Sequence, residues 1–323
     1  MTDTPVVLFV FNRPDMTGQV FAAVRQARPR QLFIVADGPR PDHPDDGPRC
    51  AAARAVVEHV DWPCAVRTQF APANLGIMAR VTSGLDWVFA QVEQAIILED
   101  DCVPHPSFFR FCTELLAHYR DEERVLCISG NNFQFGRHVA QFGYHFSHYP
   151  LTWGWATWRQ AWQAADLTMG QWPDLRDAGW LAGRLETPAA RRYWRYIFQR
   201  NHESQENWDY AWVFSCWQRD GLSITPCVNL VSNIGFGTDA THTWHAGDRF
   251  ACMPVQAMPF PLQHPPQIAR DASADAVTEE TTYSGKHFVQ PMFRAIREHV
   301  GSRTASGGGA TGQGDERTAR PDR

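Results

Sequence analysis

The sequence predicts an α/β fold built on a largely parallel sheet, and two observations carry that prediction. Short apolar or β-branched runs recur at Pro5–Phe11, Gln31–Ala36, Ala65–Phe70, Ala95–Leu98 and Val125–Ser129, and segments of helical periodicity separate them. Strands that alternate with helices build βαβ units, whose strands lie parallel. The second observation is size: 323 residues, 44% hydrophobic and 20% charged, suffice for one large core or a core with an appended lobe.

Each element has its own warrant. The first strand, Val6 to Phe11, is continuously apolar, as a strand buried on both faces must be. A helix over roughly Met78 to Val92 follows from Met78, Val81, Leu85, Val88 and Val92, which recur at three- and four-residue steps. Another begins near Ser107 with the stripe Phe108, Phe111, Cys112, Leu115 and Tyr119, capped by His105 or Ser107. Both stripes read as core. Ten of the thirteen tryptophans fall between Leu151 and Trp217, which marks a Trp-rich C-terminal lobe or a long elaboration. Beyond Gly301 the Gly, Ser and Thr content leaves too little apolar area to offset ordering entropy, so a disordered tail is expected over 301–323. The organisation expected is therefore two parts of one domain, 1–135 and 136–300, followed by that tail.

Composition excludes several classes of function. A net charge of −5, with Lys and Arg scattered, offers no footprint for nucleic acid. The apolar run Val6–Phe11 is too short to span a bilayer and lacks the basic flank of a secretion signal, so a cytoplasmic location is expected. Eight cysteines form no C-x-x-C pair and read as reduced packing residues.

The most informative stretch is Ala95-Ile-Ile-Leu-Glu-Asp-Asp-Cys-Val-Pro104, an apolar strand ending abruptly in Glu99, Asp100 and Asp101. Open α/β sheets bind ligands beyond the carboxyl ends of their strands, where this triplet would lie. Adjacent carboxylates repel one another, and a hard divalent cation relieves the repulsion. Mg²⁺ or Mn²⁺ takes one or two carboxylates and completes its shell with phosphate oxygens and water. The plainer reading, that the acids end a strand and cap the next helix, is weakened by Pro104, His105 and Pro106 lying between them and the helix.

The triplet and its surroundings resemble the GT-A glycosyltransferases, most closely the N-acetylglucosaminyltransferase I type, which carries Glu-Asp-Asp as its version of the Asp-x-Asp motif. The match runs Ile96-Ile-Leu-Glu-Asp-Asp101, then Pro106-Ser-Phe-Phe109. On the amino-terminal side, Val6-Val-Leu-Phe-Val-Phe-Asn-Arg-Pro14 looks like the family's first strand, implying a nucleotide contact from Arg13. Ile34-Val-Ala-Asp-Gly38 is similar to the strand whose terminal Asp reads the uracil, implying Asp37, and Asn74-Leu-Gly-Ile-Met-Ala-Arg80 makes Arg80 a donor-site candidate. Trp153-Gly-Trp155 and Asn207-Trp-Asp-Tyr-Ala-Trp212 look like the Gly-Trp loop and the base-carrying segment, implying Asp209 as the base. Tyr210 and the inserted Ala211 depart from that segment's second Asp, and Val81 stands where the family has a His.

The resemblance implies a GT-A-type fold: a mostly parallel central sheet flanked by helices. It implies an enzyme transferring a sugar from a nucleotide-diphosphate sugar, with UDP expected, to a carbohydrate or lipid-linked glycan acceptor. The expected transfer is metal-dependent and inverting, and membrane association would come only through the acceptor. In that reading Asp101 and His242 hold Mn²⁺ or Mg²⁺, Glu99 and Asp100 line the nucleotide-sugar site, and Asp209 or Glu206 takes the acceptor's proton. Trp153 and Trp155 offer flat faces to an acceptor sugar. The Gly-, Asn- and Thr-rich segment Asn229–Thr243 reads as a loop able to approach a diphosphate. Two alternatives stand beside this one. A sugar nucleotidyltransferase would want a Gly-rich phosphate loop that Phe11-Asn-Arg-Pro-Asp15 lacks, and a noncatalytic carbohydrate-binding protein would use the tryptophans alone.

Overall fold

The structure is a computed structural model in which residues 2–236 and 248–283 are described. Among them are ten strands: β1 (Val6–Val10), β2 (Gln31–Ala36), β3 (Ala65–Phe70), β4 (Gln94–Glu99), β5 (Cys102–Pro104), β6 (Val125–Ser129), β7 (Tyr144–Ser147), β8 (Trp155–Trp158), β9 (Leu222–Pro226) and β10 (Val231–Asn233). The helices are α1 (Pro14–Ala27), α2 (Asp46–Val57), α3 (Ile77–Phe89), α4 (Pro106–His118), α5 (Arg159–Gln163), α6 (Trp172–Asp177), α7 (Pro188–Ser204), α8 (Trp208–Gln218) and α9 (Ala272–Thr278). A single π turn, Glu279–Tyr283, continues α9.

Eight strands form one sheet in the order β3-β2-β1-β4-β8-β6-β9-β7. The pairings β3–β2, β2–β1 and β1–β4 are parallel, β8 runs antiparallel to both β4 and β6, and β7 runs antiparallel to β9. Only β7 and β8 oppose the common direction, so the sheet is mixed and mostly parallel, with helices packed on it. Hydrophobicity explains the order. Every residue of β1 is buried, as is required of a strand covered on both faces, whereas β3 at the edge is mostly exposed.

The tryptophan-rich stretch contributes strand β8 to this sheet. Strand β8 lies between β4 and β6, and Trp155 shares one core with Val7, Phe9, Val35, Leu85 and Ile97. Trp155 stacks on Trp208 with ring centroids 5.5 Å apart and lies 5.5 Å from Trp212. The opposite face of the sheet packs Val6, Leu8, Ile34, Ile96 and Leu98 against α1 and α4 residues such as Val20, Phe108 and Leu115.

Two local features deliver the site. Strand β5 turns back to pair antiparallel with β10, so Asn233 lies opposite Cys102, beside the acids. The segment read from sequence as a loop therefore contains a three-residue strand, because Val231 packs into the core and Ser232 and Asn233 find a ladder partner. Helix α4 starts at Pro106 with His105 as its cap, the ring accepting from the Ser107 amide at 3.1 Å. The eight cysteines carry no disulfide; most are buried, and Cys252 is exposed rather than packed. Among the described residues no helix is long and apolar enough to cross a membrane. The predicted tail over 301–323 lies outside the described residues.

Candidate functional site

The carboxyl ends of β1, β2 and β4 meet at one edge of the sheet, and the residues that follow each strand build the site. After β4 come Asp100 and Asp101. Asp100 is buried, and one oxygen accepts from the Phe11 amide at 2.9 Å, which ties the end of β4 to the end of β1. Arg13, the residue ahead of α1, lies 2.9 Å from Asp101 Oδ2 and 3.8 Å from Asp100 Oδ1. One guanidinium thus faces two of three adjacent carboxylates.

The electrostatics follow from that count. Burial, then Asp101 and Asp100, then Asp209, push the Glu99 carboxyl well above the usual range, and Arg13 opposes them. Burial and the neighbouring Asp101 push Asp100 up to about 7, against the pull of Arg13 and the Phe11 amide. Burial and mutual repulsion oppose ionising all three acids at once, and a cation would relieve that opposition.

No group of three His, Cys, Asp or Glu able to cage a metal exists among the described residues. That donor set suits a hard cation held by one or two carboxylates with substrate phosphates and water completing its shell, which is the ordinary arrangement for Mg²⁺. His242 lies outside the described residues.

Gly235 covers Asp101. A Cβ built there would stand 2.1 Å from Asp101 Oδ2 and 2.8 Å from its Cγ, so any residue but glycine forces this carboxylate to move. Backbone bonds hold the approach: the Ile234 amide donates to the Asp101 carbonyl at 2.8 Å, and the Gly235 amide donates to Asn233 Oδ1 at 2.8 Å.

Asp37, just past β2, is buried and anchors the turn ahead of α3. It accepts from the Gly38 amide at 2.8 Å, the Leu75 amide at 2.9 Å and Asn74 Nδ2 at 3.0 Å. Burial raises its carboxyl, while those amides and the charge of Arg80 pull it back. Arg80 is buried too, hydrogen-bonded to Gln69, and its affinity for its proton falls because burial outweighs the attraction of Asp37. Asp37 and Arg80 thus make their own group past the end of β2, with β1 between it and the acids at the end of β4, and Arg13 rather than Arg80 pairs with those acids.

Asp209 lies in the first turn of α8, where the helix dipole favours a carboxylate, and its charge reaches Glu99. Three buried or half-buried phenols, Tyr193, Tyr210 and Tyr283, feel the same charge. Glu206 is exposed in the turn before α8, 4.0 Å from Arg200, and is not among the charges acting on Glu99. The structure therefore separates the two base candidates and brings only Asp209 toward the acids.

Trp153 is half-buried, its ring edge-on to Phe133 at 5.0 Å and Phe236 at 5.7 Å. Trp155 corrects the sequence expectation: at 1% exposure between β4 and α8 it has no face for an acceptor, because strand alternation turns it into the core.

Sequence reasoning missed a second layer. Asp46 accepts from Asn12 Nδ2 at 2.7 Å and from Arg40 Nε at 2.6 Å, and Arg40 holds its carboxyl well below the usual range. This bond network fixes the turns after β1 and β2. Its residues sit in Pro- and Asp-rich turn sequence, which carried no signal beyond turn formation. Tyr193 and Tyr283 arrive from α7 and the π turn, far along the chain from Asp209.

No family model matches the chain, and no curated protein matches it. Among solved structures it is similar to a mannosyltransferase from Pyrobaculum calidifontis in complex with GDP-Man and Mn²⁺. That likeness is 13% identity over 68% of this chain and 76% of the other, with a TM-score of 0.37. It is also similar to a UDP-glucose pyrophosphorylase complexed with UDP-glucose, at 11% identity over 45% of this chain, with a TM-score of 0.27. The match spans 62% of the pyrophosphorylase. Overlaps this partial leave the fold to be read from the strand order itself.

Proposed function

We propose that the chain is a divalent-metal-dependent glycosyltransferase of the GT-A type, moving a sugar from a nucleotide-diphosphate donor, with UDP the expected nucleotide, to a carbohydrate or lipid-linked glycan hydroxyl. One observation carries the reading: three adjacent carboxylates at the end of β4 stand between an arginine from the end of β1 and a fourth carboxylate at the start of α8. Asp101, with Asp100 beside it, would hold Mn²⁺ or Mg²⁺, and His242 is the proposed second protein ligand. The bound cation supplies charge neutralisation at the departing diphosphate.

The chain's own residues divide the remaining work. Arg13 lies against the acids and would meet the diphosphate there. Asp37 and Arg80 form the wall under the base and ribose, and Glu99 faces the sugar. Asp209 accepts the proton of the acceptor hydroxyl as its oxygen bonds to the anomeric carbon and the diphosphate leaves from the other side, which gives inversion. The phenols around Asp209 limit water there, so that a sugar hydroxyl competes as nucleophile.

The test is donor turnover. With Mn²⁺ and a panel of UDP-sugars, the wild type should release UDP slowly even without acceptor, and Asp101→Ala should release none. A wild type that neither binds nor cleaves any nucleotide sugar would favour the noncatalytic carbohydrate-binding reading instead.

A further inference from the structure

Asp101, the acid that the proposed function gives to the cation, has a protein partner on each carboxylate oxygen. Oδ2 lies 2.9 Å from Arg13, and Oδ1 accepts from the Cys102 thiol at 3.4 Å. The two contacts differ in kind. Arg13 brings a full charge, whereas the thiol is a weak, uncharged donor that orients a carboxylate without neutralising it.

Cys102 is fixed in turn. It opens β5, is buried, and shares one core with Leu98, Phe108 and Val231. Across the β5–β10 ladder it faces Asn233, also buried, whose Nδ2 donates to the Cys102 sulfur at 3.9 Å. The other end of that side chain, Oδ1, accepts from the Gly235 amide at 2.8 Å. One asparagine thus reaches both the thiol that contacts Oδ1 of Asp101 and the glycine that crowds its Oδ2. A thiol sulfur accepts and donates at once, so the contacts run in one direction, from Asn233 Nδ2 to Sγ and from the thiol hydrogen to the carboxylate.

We propose that Cys102 and Asn233 are positioning residues for Asp101, holding its carboxylate in the one rotamer in which it takes a divalent cation. The inference rests on the proposed function, which gives Asp101 to that ion, and extends it to two neutral side chains that touch neither donor nor acceptor. Groups that orient a metal-binding carboxylate through hydrogen bonds set the affinity of the site along with the ligand itself. A buried cysteine that only fills the core would be replaced equally well by serine or by alanine, and that difference separates a positioning role from a packing one.

Titration of the full chain with Mn²⁺ alone, reading free Mn²⁺ by its paramagnetic signal, tests this, with melting temperatures taken beside it to show that each variant is folded. Cys102→Ala should weaken Mn²⁺ binding about fivefold, the net worth of one hydrogen bond. Cys102→Ser, as small as alanine in the core but still a donor, should stay within about twofold of wild type. Asn233→Ala, which releases both the thiol and the Gly235 amide, should lose about tenfold or more. If Cys102→Ala does not fold, Cys102→Val keeps the apolar bulk without the donor and should show the same loss. Equal affinities for the serine variant and the donor-free variant, or an Asn233→Ala chain that binds Mn²⁺ like wild type, would overturn the proposal while leaving Asp101 as a ligand. A wild type that binds no Mn²⁺, or an Asp101→Asn chain that binds it equally well, would instead remove Asp101 from the cation and overturn both readings.

Discussion

The two sides of β4 are built on opposite principles. Toward β8 the strand meets a dry aromatic core, in which Trp155, Trp162, Trp208 and Trp212 lie 5.5 to 6.3 Å apart and α7 adds Trp194 against Trp217 at 4.7 Å. At its carboxyl end the same strand runs into buried acids, two of which are pushed toward protonation by burial and by each other. Burial of large aromatics stabilises a fold; burial of like charges costs stability unless a partner arrives. The aromatic side supports the sheet, and at the acidic end Arg13 and the Phe11 amide offset only part of the cost of burying adjacent carboxylates.

The largest expected effect breaks the aromatic side. Trp155→Ala should lose about 3–5 kcal/mol of stability in denaturant titration, since the cavity opens between sheet and helix. A loss under about 1 kcal/mol would mean that the tryptophans do not support the sheet. On the acidic side, Asp209→Asn should lower transfer by about a thousandfold while the melting temperature holds, because it removes a proton acceptor without changing volume. Transfer that survives this change would move the base elsewhere and would also cost Asp209 its place in the comparison.

Much of this contrast was legible in the sequence, for reasons that differ by region. Strands 31–36, 65–70 and 125–129 match their expected bounds because apolar or β-branched runs between turn residues leave few alternatives. Strands β7 and β8 were not legible: Tyr144–Ser147 and Trp155–Trp158 become strands only because the parallel half leaves edges for antiparallel partners, a tertiary decision. The density of tryptophans was visible in the sequence, but their packing with β1, β2 and β4 in one core was not. At the site, the acid triplet stood out because three charges ending an apolar run have a local signature. Gly235 over Asp101 had none, since its constraint comes from a residue more than a hundred positions away.

That constraint gives a smaller prediction on the acidic side. Gly235→Ala must displace the Asp101 carboxylate, so Mn²⁺ affinity, read by the paramagnetic signal of free Mn²⁺, should fall about 10–100-fold, as for other residues that orient ligands. Unchanged affinity would mean that Asp101 does not hold the ion in this rotamer.

The smallest effect concerns pH. Asp100 titrates near 7 in the folded protein and near 4 when unfolded, so between those values the native state keeps a proton that the unfolded chain has released. Stability of the metal-free protein should therefore decline as pH rises from about 4 to about 7, with Glu99 adding a decline of the same sign, and Asp100→Asn should reduce the slope in this window. Thermal melts across this window decide it, and a wild type and variant with the same slope would remove Asp100 from the account. Mn²⁺ should oppose the decline, because the cation favours the ionised acids.

Calorimetric titration of UDP into the protein, with and without Mn²⁺, for wild type and Asp101→Asn, tests the central claim most directly. The account predicts that Mn²⁺ strengthens UDP binding to the wild type and leaves Asp101→Asn unaffected. Equal UDP affinity in all four titrations would contradict a cation bridging these acids to a diphosphate.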